Sequence, residues 1–424
     1  MKTVSVVGLG YVGLPTAALL ARAGFKVQGM DKNEKLVEEL QRGECRLEES
    51  DVNDLVKSVL KAGTLTASLD PEPADVFVIC VPTPVGKDDK ADLSMVKSAI
   101  KATAPCVKAG DLVILESTSP IGTTEKIIGA ALKEVGLDPQ SDVDVCYCPE
   151  RVFPGNTIRE ILDNDRIIGG LTVKAAEKAQ KFYAAFCNGQ PVLTTAATAE
   201  FSKLMENTYR DVNIALANVF ARIAENTDVN VKEVIALANM HPRVNVHTPG
   251  PGVGGHCIPV DPKFLIEAFP EETKLLSQSR EINDTQASRL IDRAESAGLS
   301  RGSKVAIMGA AYRGDIDDAR DTPTELLIGE LSKRGYTWQT HDPHVTLFKL
   351  HNECEPYLTS NLQASLEGAE AVFIMTAHSE YNVLTASDFS GMGDTALIVD
   401  GPVIMSREMF AEGRYTYLST GQRV

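Results

Sequence analysis

The sequence predicts an α/β protein in which two doubly wound, Rossmann-like domains are joined by a central helical segment. Short apolar runs alternate with helical patterns near both ends of the chain, which is typical of parallel sheets covered by helices. Between them, apolar residues recur with a helical period. We therefore expect a first Rossmann domain over residues 1–196, a helical segment over 197–300 and a second Rossmann-like domain over 301–424.

The composition excludes several classes of protein. The 424 residues are too many for one ordinary core, which supports a multidomain chain. A net charge of −16 argues against a surface built to bind nucleic acid or an anionic membrane. No apolar run is long enough to span a membrane, and the eight cysteines are scattered without paired spacing. We expect a cytoplasmic protein with reduced thiols.

A glycine-rich loop directly follows the first predicted strand, residues 4–7. The loop reads Gly8-Leu9-Gly10-Tyr11-Val12-Gly13 and leads into a predicted helix over residues 14–23. In such a unit the first glycine permits a tight turn, the second lets the backbone approach a pyrophosphate, and the third lets the helix pack close to the strand. The helix N-terminus presents its amides and the positive end of its dipole. The loop therefore predicts a dinucleotide site.

An acidic residue, Asp31, ends the second predicted strand, residues 27–30. A carboxylate at this position accepts hydrogen bonds from the ribose hydroxyls and repels a 2′-phosphate, so NAD is expected rather than NADP. A glycine turn followed by an ordinary surface aspartate is the alternative, but it leaves the complete unit of strand, loop, helix, strand and acid unexplained.

Three more predicted strands, residues 74–81, 112–116 and 143–146, end in polar segments. In an open parallel sheet, ligands bind outside the carboxyl ends of the strands, so these segments should form the rim of the cofactor and reaction site. Threonines before a helix can instead do no more than cap it. The rim residues singled out are Thr83, Thr118, Glu150 and Arg151.

The central segment has a helical pattern from about residue 199 to residue 238. Lys203 and Asn207 are four residues apart and so lie side by side on this helix. Taken alone, the pair is more simply interpreted as part of a solvated polar stripe. The apolar face consists of Phe201, Leu204, Met205, Tyr209, Val212, Ala215 and Leu216.

The most informative stretch, residues 249–262, is too rich in glycine and proline to be regular secondary structure. It places one thiol, Cys257, four residues before a carboxylate, Asp261, in a loop whose amides can activate a nucleophile. An inert packed thiol is an alternative, but it requires no such loop. Zinc binding is another, although the spacing fits no familiar site. The candidate zinc ligands are His241, His247, His256 and Cys257.

The C-terminal third predicts a second, smaller doubly wound domain. Strands are predicted over residues 305–308, 371–375 and 396–399, with another ending at Asp342, and a helix over residues 324–334. Gly309 is not followed by a full glycine fingerprint, so a mononucleotide is expected here rather than a second dinucleotide. The charged run at residues 315–321 is either a solvated loop or part of a site.

Taken together, the motifs resemble the UDP-glucose/UDP-N-acetylhexosamine 6-dehydrogenase family over essentially the whole chain. The resemblance implies NAD-dependent, four-electron oxidation of the C6 alcohol of a UDP-sugar to the uronate. It rests on the Gly8-to-Gly13 loop, Val81-Pro82-Thr83-Pro84, Ser117-Thr118, Pro149-Glu150-Arg151, Lys203 with Asn207, residues 252–261 and residues 313–320.

The resemblance also implies residue roles. Lys203 and Asn207 would flank C6 and stabilise its oxyanion, and Cys257 would form a thiohemiacetal and then a thioester. Water positioned by Thr118, Glu150 and Asp261 would hydrolyse the thioester. The expected substrate-binding residues are Arg151, Lys203, Asn207, Arg243, Gly254 and Arg313.

The resemblance extends to the sugar. Glucose-specific members usually carry a second glutamate four residues after the first, where this chain has Pro154. This departure, together with residues 165–170, resembles the N-acetylhexosamine branch, and residues 241–246 resemble the N-acetylmannosamine enzymes. We expect UDP-N-acetylmannosamine, with UDP-N-acetylglucosamine and UDP-glucose as alternatives, and we consider Arg151 and Arg166 as candidates for reading the sugar.

Two other functions remain as alternatives. A two-electron hydroxyacid or sugar-acid dehydrogenase needs no thiol, and a non-catalytic NAD-responsive binding protein needs no Lys203, Asn207, Cys257 and Asp261 together. No metal is expected. The central helices suggest a homodimer or higher homo-oligomer, with Arg243 reaching the site of the neighbouring subunit.

Overall fold

The computed structural model describes residues 2–45, 47, 49–86, 88–152, 155–350, 353–354, 358–411 and 413–423. The chain divides into two compact units, and the helices Ala196–Ala224 and Asp261–Ala268 each contribute residues to both. The first unit comprises Met1–Glu206 with Lys263–Ala268, and the second comprises Asn207–Pro262 with Phe269–Val424.

Strands and helices alternate along the first unit. Its strands are β1 (Thr3–Val7), β2 (Lys26–Met30), β3 (Leu65–Ser68), β4 (Val76–Ile79), β5 (Leu112–Leu115), β6 (Asp144–Tyr147), β7 (Arg166–Gly170) and β8 (Pro191–Thr195). Its helices are α1 (Gly13–Arg22), α2 (Glu34–Gln41), α3 (Ser50–Lys61), α4 (Ser94–Thr103), α5 (Ala130–Glu134, preceded by a π-helical turn at Thr124–Gly129), α6 (Thr157–Asp163), α7 (Val173–Tyr183) and the start of α8 (Ala196–Ala224).

The described strands of the first unit form one sheet in the order β3-β2-β1-β4-β5-β6-β7-β8. All neighbours are parallel except β6 and β7. Successive side chains of a strand point to opposite faces of the sheet, and both faces are covered. On β1, for example, Val6 belongs to one apolar cluster and Val7 to another. A sheet buried on both faces explains why its strands are continuous apolar runs.

The second unit begins with helices and continues into a second sheet. Its helices are the rest of α8, α9 (Val231–Ala238), the start of α10 (Asp261–Ala268), α11 (Lys274–Asp284), α12 (Gln286–Ser296), α13 (Pro323–Lys333) and α14 (Leu362–Leu366). Its strands are β9 (Lys304–Met308), β10 (Thr337–His341), β11 (Lys349–Leu350), β12 (Glu353–Cys354), β13 (Leu358–Thr359), β14 (Ala371–Ile374), β15 (Leu397–Asp400) and β16 (Thr416–Ser419).

The larger sheet of the second unit is parallel and has the order β13-β10-β9-β14-β15-β16. The chain therefore winds outward from β9 in both directions, as it does from β1 in the first unit. This arrangement confirms the predicted fold class of two doubly wound domains joined by helices.

The helical pattern predicted over about residues 199–238 forms two helices, α8 and α9. Helix α8 ends at Ala224, and the side chain of Asn230 caps α9 by accepting from the amide of Lys232. The predicted apolar face also divides, because Leu204 is fully buried whereas Leu216 is 44% exposed. In the part of the chain that is described, no helix combines the length and apolar character needed to cross a membrane.

Candidate active site

The glycines of the first loop have three distinct environments. Gly8 has φ +92°, and a Cβ on it would lie 2.7 Å from the carbonyl oxygen of Cys80. A Cβ on Gly13 would lie 1.9 Å from the carbonyl oxygen of Gly8, so the helix packs against the strand end without room for a side chain. A Cβ on Gly10 would meet no described atom within 4 Å. This geometry fits a pyrophosphate approaching Gly10 at the uncapped start of α1.

Asp31 lies at the carboxyl end of β2 beside this loop. Its carboxylate accepts from the amides of Leu9 and Asn33, at 2.8 Å each. It borders a cavity of about 350 Å³, which is also lined by Gly8, Met30 and Pro82. A half-buried carboxylate with remaining acceptor capacity suits the ribose of NAD, and the cavity suits the adenosine part.

Two predicted cofactor residues, Tyr11 and Thr83, are held by bonds within the first unit. The Tyr11 hydroxyl donates to Glu49 at 2.5 Å and lies 2.6 Å from the hydroxyl of Thr157. The Thr83 hydroxyl donates to the carbonyl oxygen of Thr118 at 2.6 Å, which joins the ends of β4 and β5. Val12, between Tyr11 and Gly13, lies directly before α1.

Glu150 follows β6 and has the most informative electrostatics of the first unit. Burial raises the pKa of its carboxyl to about 7, and the nearby Lys203 ammonium and the Val152 amide oppose this rise. The amide of Val152 donates to the carboxylate. A carboxyl with a pKa near neutrality can both take and release a proton under physiological conditions, as a general base must.

The arginines considered for sugar recognition differ in exposure. Arg151 is exposed and pairs with Glu206 at 2.8 Å. Arg166 is the first residue of β7, and its side chain is largely buried. Pro154, which separates this chain from the glucose-specific pattern, lies outside the described residues.

Lys203 and Asn207 lie one turn apart on α8, and only 9% and 7% of their surfaces are exposed. The alternative of a solvated stripe is therefore wrong. In the second unit, the Asn207 amide donates to the carboxylate of Asp261 at 2.6 Å, and both side chains are buried. Two residues 54 positions apart in the sequence are thus brought together.

Cys257 lies in a turn at the start of α10. Its carbonyl oxygen accepts from the amides of Val260 and Asp261, at 3.1 and 2.9 Å. The preceding loop lies against the charged run, since the Gly255 amide donates to the carbonyl oxygen of Arg320 at 3.2 Å. A Cβ on Gly254 would lie 2.7 Å from the carbonyl oxygen of Asp321, so only glycine allows this approach.

The charged run therefore belongs to the surroundings of Cys257. Arg320 forms a two-pronged ion pair with Asp318, with contacts of 2.9 and 2.6 Å. Hydrogen bonding to Asp318 raises the pKa of Arg320, and the Cys257 sulfur acts in the same direction. The Arg320 guanidinium and the Cys257 thiol are thus within electrostatic range of one another. Arg313 lies two residues before this run and is half-buried.

Potential metal ligands gather in the described part of the second domain, away from the histidines considered in the sequence. Asp315, His344, His378 and Glu380 offer ligand atoms within 4.8 Å of one another. Hydrogen bonding accounts for this group, because His378 accepts from the Asp315 amide at 3.0 Å and its other ring nitrogen lies 3.0 Å from Asp342. Both nitrogens of His378 are thereby engaged.

The C-terminal domain has a loop similar to the first one, but the acid after its second strand, Asp342, differs from Asp31 in its hydrogen bonds. Gly309 has φ +101°, like Gly8, and follows β9. Asp342 follows β10 and accepts from four main-chain amides, at 2.7–3.0 Å, as well as facing His378. The amides belong to Ala310, Ala311, His344 and Val345. Unlike Asp31, this carboxylate has no capacity left for a ribose.

The candidate residues are distributed over both units. Thr118, Glu150, Arg151 and Lys203 belong to the first unit, and Asn207, Arg243, Gly254, Cys257, Asp261 and Arg313 belong to the second. Arg243 is exposed after α9. Sequence reasoning missed Glu116, a buried acid that ends an otherwise apolar run, and Glu49, which bonds to Tyr11.

Comparisons with known proteins agree along the whole chain. Residues 2–187, 197–285 and 306–407 match, in turn, the NAD binding, central and UDP binding domains of the UDP-glucose/GDP-mannose dehydrogenase family. A UDP-N-acetyl-D-mannosamine dehydrogenase of Methanocaldococcus jannaschii is 42% identical, over 98% of this chain and 96% of the relative. An NDP-N-acetyl-D-galactosaminuronic acid dehydrogenase of Ralstonia nicotianae is 40% identical, over 97% of each chain.

A solved structure gives the same result. The UDP-D-ManNAc dehydrogenase of Pyrococcus horikoshii superimposes with a TM-score of 0.90, at 38% identity and 99% coverage of both chains. The chain belongs to the UDP-glucose/GDP-mannose dehydrogenase family and is an NAD-dependent nucleotide-sugar dehydrogenase.

Proposed function

We propose that this protein oxidises the C6 alcohol of UDP-N-acetylmannosamine to the carboxylate, with two NAD⁺ reduced per sugar. The observation that carries the choice of sugar is the 42% identity, over nearly full length, to a protein named for this substrate. We also propose that the reaction takes place in the cytoplasm, where a catalytic thiol stays reduced.

In the proposed mechanism, the first oxidation needs no covalent bond. Gly8, Gly10, Gly13 and Asp31 would hold NAD⁺, which would accept the hydride from C6. The Lys203 ammonium and the Asn207 amide stabilise the negative charge that develops on the C6 oxygen as its proton passes to solvent. The Asn207–Asp261 bond of 2.6 Å holds the amide in one orientation for this task.

The second oxidation then requires a tetrahedral carbon, which Cys257 provides. The Cys257 thiolate adds to the C6 aldehyde, and the aldehyde oxygen takes a proton to give a thiohemiacetal. A second NAD⁺ would accept the hydride from C6 and the hydroxyl proton passes to solvent, which leaves a thioester. Water attacks the thioester carbonyl while Glu150 takes its proton, and the C–S bond breaks to release the carboxylate and the Cys257 thiol. Thr118 and Asp261 are assigned to positioning the water.

The test is the amount of NADH formed per sugar consumed, with purified protein and a panel of UDP-sugars. We expect two NADH per sugar with UDP-N-acetylmannosamine. UDP-N-acetylgalactosamine belongs in the panel because of the second relative, beside UDP-N-acetylglucosamine and UDP-glucose. A preference for another sugar overturns the substrate assignment, one NADH per sugar overturns the thioester scheme, and no NADH from any sugar overturns the proposal.

We further propose a homodimer built on the central helices. Apolar side chains on α8 and α9 of the second unit are exposed, including Leu216 at 44%, Ile223 at 56% and Leu237 at 61%. Ile223 also lines an apolar cavity of about 290 Å³, together with Phe220 and Val234. Exposed apolar side chains gathered on two helices in this way are typical of an interface.

Subunit mixing tests both the dimer and the place of Arg243 in it. If Arg243 serves the partner's site, mixing the inactive variants Arg243→Ala and Cys257→Ser should restore about a quarter of normal activity, because half of the random dimers contain one intact site. Light scattering should show a dimer. A monomer at working concentration excludes the dimer, and a dimer without restored activity excludes the role of Arg243.

A further inference from the structure

A buried group of charged and polar side chains adjoins Glu150 in the first unit, because Arg166 of this group and Glu150 line the same small cavity. Glu116, which ends the run of β5, is 3% exposed. Its carboxylate accepts from the Tyr183 hydroxyl at 2.6 Å and from the Cys80 thiol at 3.2 Å. It lies 3.9 Å from the guanidinium of Arg166. The sequence presents Glu116 only as the last residue of an apolar strand.

Arg166 is fixed as firmly as its acidic partner. Its guanidinium donates to the sulfur of Cys187 and to the carbonyl oxygen of Ile161, both at 3.2 Å. It lies over the ring of Tyr183, 4.5 Å from the ring centre. A charge held by this many contacts cannot swing toward solvent, so its field acts from a constant position.

These opposite charges act on Glu150, where little solvent screens them. In the first unit, Lys203 on α8, Glu116 after β5, Arg166 on β7 and Cys80 after β4 interact electrostatically with Glu150. The charged residues Arg151, Glu160 and Asp165 line the same small cavity as Glu150. After burial, the strongest influence on the pKa of Glu150 is Lys203, which lowers it. Glu116 raises that pKa, and Arg166 lowers it.

We propose that Glu116 and Arg166 are positioning residues for Glu150. They are a buried pair of opposite charges, locked by Tyr183 and the cysteines, that sets how readily the Glu150 carboxylate accepts and releases the proton of the hydrolytic water. The inference rests on the proposed role of Glu150 as the base in thioester hydrolysis. A base works best when its pKa is close to the pH at which it operates.

Removing the Glu116 charge and removing the Arg166 charge should shift the pH dependence of thioester hydrolysis in opposite directions. Single-turnover decay of the thioester is measured against pH for the wild type, Glu116→Gln and Arg166→Gln. In Glu116→Gln, the acid limb should move to lower pH by about one unit, because a repelling charge is lost. In Arg166→Gln, it should move to higher pH by a similar amount, because an attracting charge is lost. General damage to the fold would not produce opposite shifts.

Three further variants keep the test decisive. Glu116→Asp keeps the charge and should keep the limb near its wild-type position. Should Arg166→Gln not fold, the double variant Glu116→Gln/Arg166→Gln removes both buried charges. Its acid limb should lie at higher pH than that of Glu116→Gln alone.

Asp144→Asn is the matched control, because Asp144 is a buried carboxylate at the opposite end of β6, paired with Lys178 at 2.9 Å. It should lower stability without moving the limb.

Glu150→Gln separates the two proposals. If this variant keeps the acid limb, Glu150 is not the base and the proposed mechanism fails at that step. If it loses the limb while Glu116→Gln and the control titrate like the wild type, the base assignment stands and the positioning role of the buried pair is wrong.

Discussion

Replacing Cys257 with serine is expected to lower uronate formation on the order of 10⁴-fold while NAD binding remains intact. A serine hydroxyl is a much weaker nucleophile than a thiolate, and the ester it forms with an oxidised sugar hydrolyses more slowly than a thioester. The cofactor loop lies in the first unit and has no part in this loss. Turnover, NADH binding by fluorescence and the intact mass of the protein are the measurements, and a retained sugar adduct would identify the ester.

Two other cysteine substitutions serve as controls for Cys257→Ser. Cys257→Ala should be equally inactive and should carry no adduct. Cys106→Ser replaces a half-buried thiol that donates to the carbonyl oxygen of Pro71, and it should retain activity. Full steady-state activity in Cys257→Ser would exclude covalent catalysis through this residue.

Replacing Glu150 with glutamine is expected to slow thioester hydrolysis by about 10²- to 10⁴-fold. Because the pKa of Glu150 is raised to about 7 and the base acts only when ionised, the wild-type rate should fall as the pH drops below 7. The variant should lose this limb. Both hydride transfers still occur, so a burst of two NADH per site should precede slow turnover, and the thioester should accumulate.

The same substitution should alter the pH dependence of stability. A carboxyl whose folded-state pKa is raised destabilises the fold once the pH is high enough to ionise it in the unfolded chain. Glu150→Gln should therefore melt higher than the wild type at pH 8, and this difference should vanish at pH 4.

Glu200→Gln is the matched control for Glu150→Gln. Burial also raises the pKa of Glu200, whose carboxylate accepts from the amides of Gly122 and Thr124. This control should retain the acid limb of thioester hydrolysis. Wild-type hydrolysis rates in Glu150→Gln would assign the proton transfer to another group.

Much of the fold follows from local patterns. Buried parallel strands are continuous apolar runs, so β1, β4, β5 and β9 could be found within one or two residues of their ends. Strands β7 and β8 were missed because they lie toward the edge of the sheet, where Val192 is 57% exposed and the apolar signal is diluted. The break before α9 depends on a single capping asparagine inside an otherwise helical pattern.

The candidate site was predictable only to the level of residue types and motifs. Glycine spacing shows where the backbone must approach another group closely. Residues 254–255 do lie close to the segment that carries Arg320. The Asn207–Asp261 bond and the Glu116–Arg166 pair join residues more than 45 positions apart. No local pattern encodes such a partnership, because it arises only when separate strands and helices pack.

The carboxylate of Asp342, whose oxygens are occupied by hydrogen bonds, affects how the protein distinguishes NAD from its nucleotide-sugar substrate. Both sheets have a doubly wound topology. An accessible acid after β10 would therefore make the C-terminal half a second binding site for NAD. The chain's own amides occupy that acid instead. We therefore expect that NAD does not compete with the sugar nucleotide for the C-terminal half, so that rising NAD should not inhibit the protein by displacing its substrate.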